Sequence, residues 1–487
     1  MTPLLASDST ALRAAHAADP HRPRYHFCAP SHWLNDPNGL FFWRGAYHLF
    51  YQYNPFGAFH GHVHWGHAIS RDLVTWRDLP IALTPTPDGY DQGGCWSGCM
   101  VDHDGVPTLL YTSVFPQTQS IATSDDPDLA SWTKYPGNPV IAGIPDNLPI
   151  VGGALTPDIR DPWVWRDGDH WYMILGTGIE GVGGAALLYR SSDLYRWEYL
   201  HPLHSGQIVP GATIWECPNF FPLDGAHVLL LSELPEARYT YYQTGTYADL
   251  RFTPHASGRT DQGRYFYAAQ TMQDDRGRRL MWGWLKEGRS VAAHTAAGWA
   301  GAMTVPRLLT VRDGLLHQAP APELQTLRGA VLYDRRITLE PGELVPIASD
   351  ARHAELVITA DAQAIFAVSV LSSPDAAEET LIDYDHSYRT LLLSSRRSSL
   401  DPAIPGDAIT VDYEPDSATV TLRIFIDGSI VEVFVDDTIV MTTRAYPTRA
   451  DSSGIVLYGT DMTTEVTCTV WAMGSIFLAE AASSTDG

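Results

Sequence analysis

The sequence predicts an all-β protein in which a five-bladed β-propeller is followed by a C-terminal β-sandwich. Three observations predict this fold: five similar apolar strands, a second motif that recurs with them, and strict alternation of apolar and polar residues towards the C-terminus. A chain of 487 residues is too long for one hydrophobic core, so two domains are expected. We predict a lead-in segment at 1–24, the propeller at 25–328 and the sandwich at 337–487.

The five apolar strands each follow a turn glycine, and these glycines are 60, 63, 57 and 52 residues apart. The predicted strands are 47–53, 108–113, 170–177, 227–233 and 279–285. An Asp-Leu pair follows each of the first four strands, at Asp72, Asp128, Asp193 and Asp249. In the first three copies a tryptophan comes four residues after the aspartate, and we interpret it as a packing residue. Repeats of this length in β sequence are typical of propeller blades, so five copies predict five blades.

The pattern changes near residue 337, where apolar and polar residues begin to alternate with short turns between the runs. The clearest pair is 418–427 and 429–435, joined by the turn Asp427-Gly428. A period of two with short turns is typical of a β-sandwich. This region has few clustered polar and aromatic residues, so we expect it to serve packing and interfaces rather than catalysis.

Three acids fall at one level of the repeat. Asp36 lies nine residues before its turn glycine, Asp161 seven and Glu216 nine. The first strand of each propeller blade lines the central channel, so we expect these acids to point into one axial pocket. Each acid alone is explained equally well as a turn, an ion pair or a strand end. Their shared register favours a site, because gathering three unpaired carboxylates in a protein is energetically unfavourable.

The other two repeats place Trp96, Ser97 and Tyr267 at the same level, so the expected pocket has three acids and aromatic walls. Without a metal or nucleotide motif, this set indicates glycoside cleavage, which needs one acid to protonate the leaving oxygen and one carboxylate to attack or to activate water. Glu216 lies between Trp215 and Cys217, an apolar setting that suits the proton donor. We expect Asp36 to stay ionised as the nucleophile.

Asp161 follows Arg160 directly, and we expect this arginine to keep the aspartate charged so that it holds sugar hydroxyls.

These stretches resemble a known family. Trp33-Leu34-Asn35-Asp36-Pro37-Asn38-Gly39, Arg160-Asp161-Pro162 and Trp215-Glu216-Cys217-Pro218 closely resemble the three signatures of glycoside hydrolase family 32, which includes invertases, levanases, inulinases and fructosyltransferases. The likeness covers about residues 25–310. It implies a five-bladed propeller with a β-sandwich and a retaining double displacement at a β-fructofuranosyl unit. By motif, Asp36 is the nucleophile, Asp161 the transition-state stabiliser and Glu216 the acid/base.

The resemblance also implies the residues that contact the fructosyl ring. They are Asn35, Gln52, Trp96, Ser97, Arg160, Tyr267 and Trp284. His60 stands where the family usually has tryptophan, and we assign it to the pocket wall. Cys99 and Asn219 also depart from the usual serine and aspartate. His60, His62, His64 and His67 invite a metal site, but we expect a polar rim there, with no metal and no cofactor.

The leading function is hydrolysis of terminal β-D-fructofuranosyl units from sucrose, fructo-oligosaccharides or fructans. A fructosyltransferase of the levan or inulin fructotransferase type would use the same intermediate, and a non-catalytic sugar-binding propeller is a third class. An inverting enzyme is also open: carboxyl groups of Asp36 and Glu216 about 5.5 Å apart indicate retention, and about 6.5–9.5 Å inversion.

Net charge, cysteine spacing and the lengths of the apolar runs limit which binding partners and cellular locations we expect. The net charge of −24 argues against nucleic acid and anionic membranes. The five cysteines have no zinc spacing and fit free thiols. The N-terminus shows no basic segment followed by an apolar run, and no stretch reaches 18 apolar residues, so we expect no signal peptide, no membrane span and a cytoplasmic location. A sucrose or fructan substrate is the expected partner, and the sandwich is a natural interface for a homo-oligomer.

Overall fold

The structure is a computed structural model that describes residues 6–146, 148–152, 157–234 and 239–477. The all-β prediction is confirmed, because strands make up almost all of the regular structure. Within these ranges the helices are Ala6–Ala15, Val291–Ala297 and the 3₁₀ helix Pro322–Leu327. None of the described helices is long and apolar enough to cross a membrane.

Five sheets of four or five strands follow one another along the chain. The first three contain His32–Trp43, Ala46–Asn54, His64–Ser70 and Trp76–Leu83; then Gly94–His103, Val106–Val114, Thr118–Thr123 and Thr133–Lys134; then Ile159–Asp167, His170–Ile179, Gly183–Ser191 and Glu198–Gly206. The fourth and fifth contain Ile214–Leu223, Ala226–Leu234, Thr240–Ala248 and Arg251–Arg259; then Phe266–Gln273, Arg279–Leu285, Arg307–Arg312 and Leu315–Pro320. All five predicted apolar strands are the second strands of these sheets, which confirms their positions.

The first strands of the five sheets contact one another in a closed circle. Each first strand contacts the first strand of the next sheet, and Phe266–Gln273 of the fifth sheet contacts His32–Trp43 of the first. The short strand Trp299–Ala300 pairs in parallel with His32–Trp43, and Ala302–Met303 pairs with Arg279–Leu285. One stretch of chain therefore joins the fifth sheet to the first.

The Asp-Leu repeat is a turn that the structure explains. Its leucines have positive φ, at Leu73 (72°), Leu129 (57°), Leu194 (68°) and Leu250 (60°). Branched side chains rarely adopt this conformation, so other contacts must stabilise it. In the first three copies the indole N–H of the tryptophan donates to the leucine carbonyl, at 3.2, 2.8 and 2.6 Å for Trp76, Trp132 and Trp197. The tryptophans are packing residues, as expected, and also hold the turn.

Two six-stranded sheets form the rest of the chain. They contain Arg328–Leu339, Thr464–Met473, His353–Asp361, Thr419–Asp427, Ile430–Val435 and Ile439–Arg444; and Leu344–Ala348, Gly454–Gly459, Ile365–Ser372, Glu379–Asp385, Thr390–Arg397 and Ala408–Asp412. One hydrophobic core includes side chains of both sheets, such as Leu356 and Val368. The predicted hairpin at Asp427-Gly428 is present, with Asp427 paired to Ile430.

A buried polar network joins the six-stranded sheets to the rest of the chain. Arg307 is fully buried and donates to Asp261 at 2.8 Å and to Glu432 at 2.5 Å. The two ring nitrogens of His26 contact Glu432 and Asp427, each at 2.9 Å. Burial alone would lower the pKa of His26, but hydrogen bonds to the two carboxylates raise it, so the imidazole is held in its charged form. These residues pair opposite charges across the junction.

Candidate active site

Every first strand of the five sheets carries a β-bulge at the same level. The register shifts leave residues 35–36, 96–97, 161–162, 217–218 and 268–269 outside the ladder. Bulges redirect side chains and end regular pairing. Two of these bulges contain proline, at Pro162 and Pro218, and proline lacks the N–H that a ladder needs. The bulges place polar side chains of the five sheets at one end of the circle of first strands.

Asp36 is held in the first bulge by neighbouring polar side chains. Ser97 Oγ donates to its Oδ2 at 2.7 Å, and Asn35 Nδ2 donates to its Oδ1 at 3.1 Å. Gln52 bridges these two donors: its Nε2 donates to Ser97 Oγ, and its Oε1 accepts from Asn35 at 2.6 Å. Asn35, Gln52 and Ser97 therefore hold the Asp36 carboxylate in one orientation.

Asp161 and Asp36 meet at Cys217. The thiol Sγ of Cys217 lies 3.6 Å from an oxygen of each carboxylate, and the backbone N–H of Cys217 donates to Asp161 at 2.8 Å. Asp161 has a φ of 61° and is 4% exposed. Burial, together with the charge of Glu216 and against the charge of Arg160, raises the pKa of Asp161 to about 7.

Glu216 is bonded to two polar groups. Arg160 donates to Oε1 through Nη2 at 2.7 Å and Nε at 3.1 Å, and the Tyr267 hydroxyl donates to Oε2 at 2.5 Å. Arg160 is itself held by Asp158 at 2.7 Å and by Gln117 at 3.2 Å. Arg160 and Tyr267, which lie on the first strands of the third and fifth sheets, therefore fix the orientation of the Glu216 carboxylate.

Two expectations about the environment of the acids are wrong. Glu216 does not lie in an apolar setting, because Arg160 and Tyr267 bind both of its oxygens. Arg160 does not keep its chain neighbour Asp161 charged: it lies 4.0 Å from that carboxylate, but burial still raises the pKa of Asp161 to about 7, and the closer partner of Arg160 is Glu216 at 2.7 Å. Burial, and then the charge of Glu216, raises the pKa of Asp36, and hydrogen bonds from Ser97 and Asn35 oppose this; that Asp36 is ionised stays a prediction.

Aromatic side chains lie near the residues that bind the acids, and the indole N–H of Trp33 donates to Asn35 Oδ1 at 2.8 Å. Trp33 contacts Trp284 at 5.9 Å and His60 at 6.0 Å between ring centroids, both edge to face. On another side Trp96 lies 5.9 Å from the Arg160 guanidinium and 6.0 Å from the ring of Phe115, which is 68% exposed. Such walls suit the apolar faces of sugar rings. The structure thus brings Trp96, Trp284 and His60 close to residues of the acid site.

Sequence reasoning missed several contributors. Cys217 contacts both aspartates, and its place inside the Trp-Glu-Cys-Pro stretch was the available signal. Gln117 and Asp158 support Arg160, but nothing in their spacing marks them. Among the described residues no group of three or more His, Cys, Asp or Glu is placed to hold a metal ion. His67 instead contacts His48 at 3.0 Å, and His64 contacts the His62 carbonyl at 2.5 Å.

Two protein-family models match this chain and together cover most of it. The model described as "Glycosyl hydrolases family 32 N-terminal domain" matches residues 26–320, and "Glycosyl hydrolases family 32 C terminal" matches 323–472. The chain belongs to glycosyl hydrolase family 32. The resemblance seen in the three acidic motifs is therefore confirmed, and the protein is a glycosidase.

Relatives within family 32 cover most of the chain. A sucrose-6-phosphate hydrolase of Zymomonas mobilis is 35% identical over 85% of this chain and 84% of its own length. A fructan 6-exohydrolase of Beta vulgaris is 33% identical over 93% of this chain and 87% of its own. A fructan 1-exohydrolase IIa variant of Cichorium intybus, solved with 1-kestose, superposes with a TM-score of 0.82 at 29% identity, covering 94% and 99%.

The structure shows what surrounds Asn219 and Cys99, the two residues that depart from the usual family 32 motifs. Asn219 is fully buried, and its Nδ2 donates to the carbonyls of Cys217 and Ala269 at 3.0 and 3.1 Å, so these contacts require the amide. Cys99 is buried beyond the bulge, in a core cluster with Val101 and Leu110. Cys99 is therefore a packing residue in this chain.

The free energy of unfolding of this family 32 protein should depend on pH through Asp161. A pKa raised to about 7 from an ordinary value of 3.8 means that the folded state holds a proton that the unfolded state releases, so stability falls as pH rises between these values. Asp161→Asn keeps an oxygen for the Cys217 N–H but carries no charge. We expect the variant to be more stable than the parent above pH 7, by on the order of a few kcal/mol, with no difference near pH 4.

Unfolding midpoints measured across this pH range test the expectation. Asp104→Asn is the matched control, because Asp104 is an exposed partner of Arg166. A gain that is equal at all pH values would mean that Asp161 ionises normally in the folded protein.

Proposed function

We propose that this family 32 enzyme hydrolyses terminal β-D-fructofuranosyl units of sucrose, fructo-oligosaccharides or fructans with retention of configuration. One observation carries the proposal: Cys217, the residue after Glu216, contacts both Asp36 and Asp161, so bulges of three different sheets bring the three acidic motifs together. Relatives named sucrose-6-phosphate hydrolase, fructan 6-exohydrolase and beta-fructofuranosidase support this substrate class.

In the first half-reaction, Asp36 is the nucleophile and Glu216 the acid. An Asp36 oxygen bonds to the anomeric carbon as the bond to the leaving oxygen breaks, and the Glu216 carboxyl transfers its proton to that oxygen. The free site keeps a proton near neutral pH, because burial and mutual repulsion raise the pKa of both Asp36 and Asp161. In this step the proton of Glu216 goes to the leaving oxygen, and Glu216 becomes a carboxylate.

In the second half-reaction, water replaces the leaving sugar. Glu216, now a carboxylate, accepts a proton from water, whose oxygen bonds to the anomeric carbon and releases Asp36. Arg160 and Tyr267 stabilise Glu216 in this charged form and keep its oxygens in place. Asp161 accepts hydrogen bonds from the fructosyl hydroxyls, and Asn35, Gln52 and Ser97 line the same pocket, with Trp96, Trp284 and His60 as walls.

We also propose that the five smaller sheets are propeller blades and that the two six-stranded sheets form a β-sandwich. The closed circle of first strands supports the propeller, and the shared core of the two larger sheets supports the sandwich. The proposed domains are 25–328 and 337–487 after a lead-in at 1–24, and the family models that meet at residues 320–323 support a boundary nearby. Strand Arg328–Leu339 pairs with Thr464–Met473 in one of the two six-stranded sheets, so we group it with the second domain.

A product profile tests the function. Sucrose, 1-kestose, inulin and levan are incubated with the enzyme, and the products are separated by anion-exchange chromatography. Free fructose as the main product supports hydrolysis, oligomers or cyclic difructose support the fructosyltransferase alternative, and no turnover supports a sugar-binding protein. In methanol–water, NMR detection of methyl β-fructofuranoside supports retention, and the α-anomer contradicts it.

The remaining proposals concern the surroundings of the enzyme. The five cysteines are buried free thiols, which supports a reducing compartment such as the cytoplasm. Self-association through the second domain stays a prediction.

A further inference from the structure

A cavity of about 790 Å³ lies at the end of the circle of first strands that is opposite the acids. All five first strands line it with residues that follow their bulges, and examples are Phe41, Val101, Trp165, Phe221 and Met272. Phe41 and Phe221 each come five residues after an acid of the site, which is roughly 16 Å along a strand. The cavity is therefore separate from the pocket that contains Asp36 and Glu216, and its volume is within the range of small-molecule sites.

Aromatic side chains form much of the cavity wall, and several of them are held in fixed positions. Trp163 and Trp165 are half-buried and line the cavity. The indole N–H of Trp163 donates to the Phe220 carbonyl at 2.8 Å. The ring of Trp165 stacks on that of Tyr172, with centroids 5.8 Å apart and planes 23° apart. Such rigid rings offer apolar surface to a ligand that has apolar faces of its own.

Arg279 lines the same cavity and has no charged partner. Within the described part of the chain, no carboxylate lies within ion-pair distance of its guanidinium and no group accepts a hydrogen bond from it. The guanidinium carbon lies 4.4 Å from the centre of the Phe221 ring. Burial lowers the pKa of Arg279 to about 10, and no nearby acid raises it. Its N–H donors are therefore available to a ligand in the cavity.

Most other charged groups at this cavity are neutralised by a partner of opposite charge. The pairs are Arg166 with Asp104, Asp274 with Arg278, and Glu323 with Arg276. The His227 ring lines the cavity in its neutral form, because burial lowers its pKa despite the charge of Asp167. The paired groups thus leave no net charge of their own to select a ligand.

Three charged groups remain, and they differ in sign. Arg279 offers donors, whereas Asp102 and Asp167 are exposed acceptors on the cavity rim. An anion would be repelled by Asp102 and Asp167, and a cation would be repelled by Arg279. A neutral polyhydroxy compound fits all three, because each hydroxyl can accept from the guanidinium or donate to a carboxylate. Together with the aromatic walls, these groups select a sugar.

We propose that this cavity is a second saccharide-binding site, in which a sugar unit packs against Trp163 and Trp165 and accepts hydrogen bonds from Arg279. Hydroxyls at the outer side of the sugar donate to Asp102 and Asp167. The site binds without cleaving, since the three acids lie at the other end of the strands. The choice of a fructose-containing sugar as occupant rests on the proposed function.

Calorimetric titration of Asp36→Asn with 1-kestose tests the proposal, because this variant is expected not to cleave the sugar. We expect two binding sites per chain. Adding Arg279→Met keeps an unbranched apolar side chain but removes the donors, so binding at the second site should weaken at least ~10-fold. Adding Arg251→Met instead is the matched control, because Arg251 is exposed on the fourth sheet, and both sites should remain.

A titration with fructose identifies the source of the sugar. Occupation of the second site by fructose alone supports binding of a free sugar, and occupation by 1-kestose alone supports binding of a unit within a longer chain. Wild-type crystals soaked in fructose or 1-kestose give a measurement that does not depend on a variant folding. Density for a sugar between Trp165 and Arg279 supports the proposal.

Sugar binding that is the same with and without Arg279→Met, ordered water in place of the sugar, or binding at crystal concentration only would each overturn the second site. A single site that Arg279→Met abolishes would support it and contradict the proposed function instead, because the pocket of Asp36 would then bind no fructoside.

Discussion

Asp36→Asn is expected to lower kcat for sucrose by at least ~10⁴-fold, the scale of loss when a covalent nucleophile is removed. Asparagine has the same shape and keeps an oxygen for the Ser97 hydroxyl, which donates to Asp36 at 2.7 Å. It cannot form the ester to the anomeric carbon. Because burial raises the pKa of Asp36, a neutral side chain there should not reduce stability, so an unchanged or higher Tm should accompany the loss.

Two further variants make this result specific. Asp104→Asn, on an exposed turn, should keep wild-type kcat. Asp36→Ala with sodium azide should form a fructosyl azide of inverted configuration, because azide takes the place of the carboxylate at the anomeric carbon while Glu216 still protonates the leaving oxygen. If Asp36→Asn keeps more than about a hundredth of wild-type kcat, another group attacks the sugar.

Arg307→Met is expected to reduce the free energy of unfolding by about 3–5 kcal/mol, because it leaves buried acids without their partner. Arg307 bonds to Asp261 and Glu432, which are both fully buried, and donates to Gln318 at 3.2 Å. Burial would raise the pKa of Glu432, but the charge of Arg307 and the hydrogen bond from His26 lower it. Without Arg307, Glu432 keeps its bonds to His26 and the Val305 N–H but loses its strongest charge partner, which destabilises this buried carboxylate.

Chemical denaturation of the variant, followed by circular dichroism, measures this loss. Adding Glu432→Gln to Arg307→Met should restore part of the stability, since the unpaired charge is gone. The matched control is Arg166→Met, which breaks an exposed pair with Asp104 and should change stability by less than about 1 kcal/mol. Equal losses in Arg307→Met and Arg166→Met would mean that the network carries no net charge interaction.

Strand positions and the level of the acids could be read from the sequence because their signals are local. Turn glycines and apolar runs recur with each sheet, and the second strand of every small sheet lies where they predict. Asp36, Asp161 and Glu216 share a register with these glycines, so the repeat alone placed them at one level. The Asp-Leu turn was visible as a pattern, although its positive φ at leucine was not.

Partner choice inside the site could not be read in the same way. Arg160 precedes Asp161 in the chain, which suggested an ion pair, yet the bulge directs the guanidinium to Glu216, 56 positions away. Cys217 touches Asp36 across a separation of 181 positions. No short-range pattern encodes such contacts, because they depend on how five sheets close against one another.

The amino-acid order by itself determined the all-β class, the repeat, the family and the level of the three acids, since each follows from spacing along the chain. Only the tertiary structure decided which acid Arg160 binds, why Asp161 holds its proton to about pH 7, and how His26 meets Asp427 across 401 positions. The physical reason is that desolvation and charge pairing act through distances in space, and a carboxylate's proton affinity is set by what surrounds it after the chain has folded.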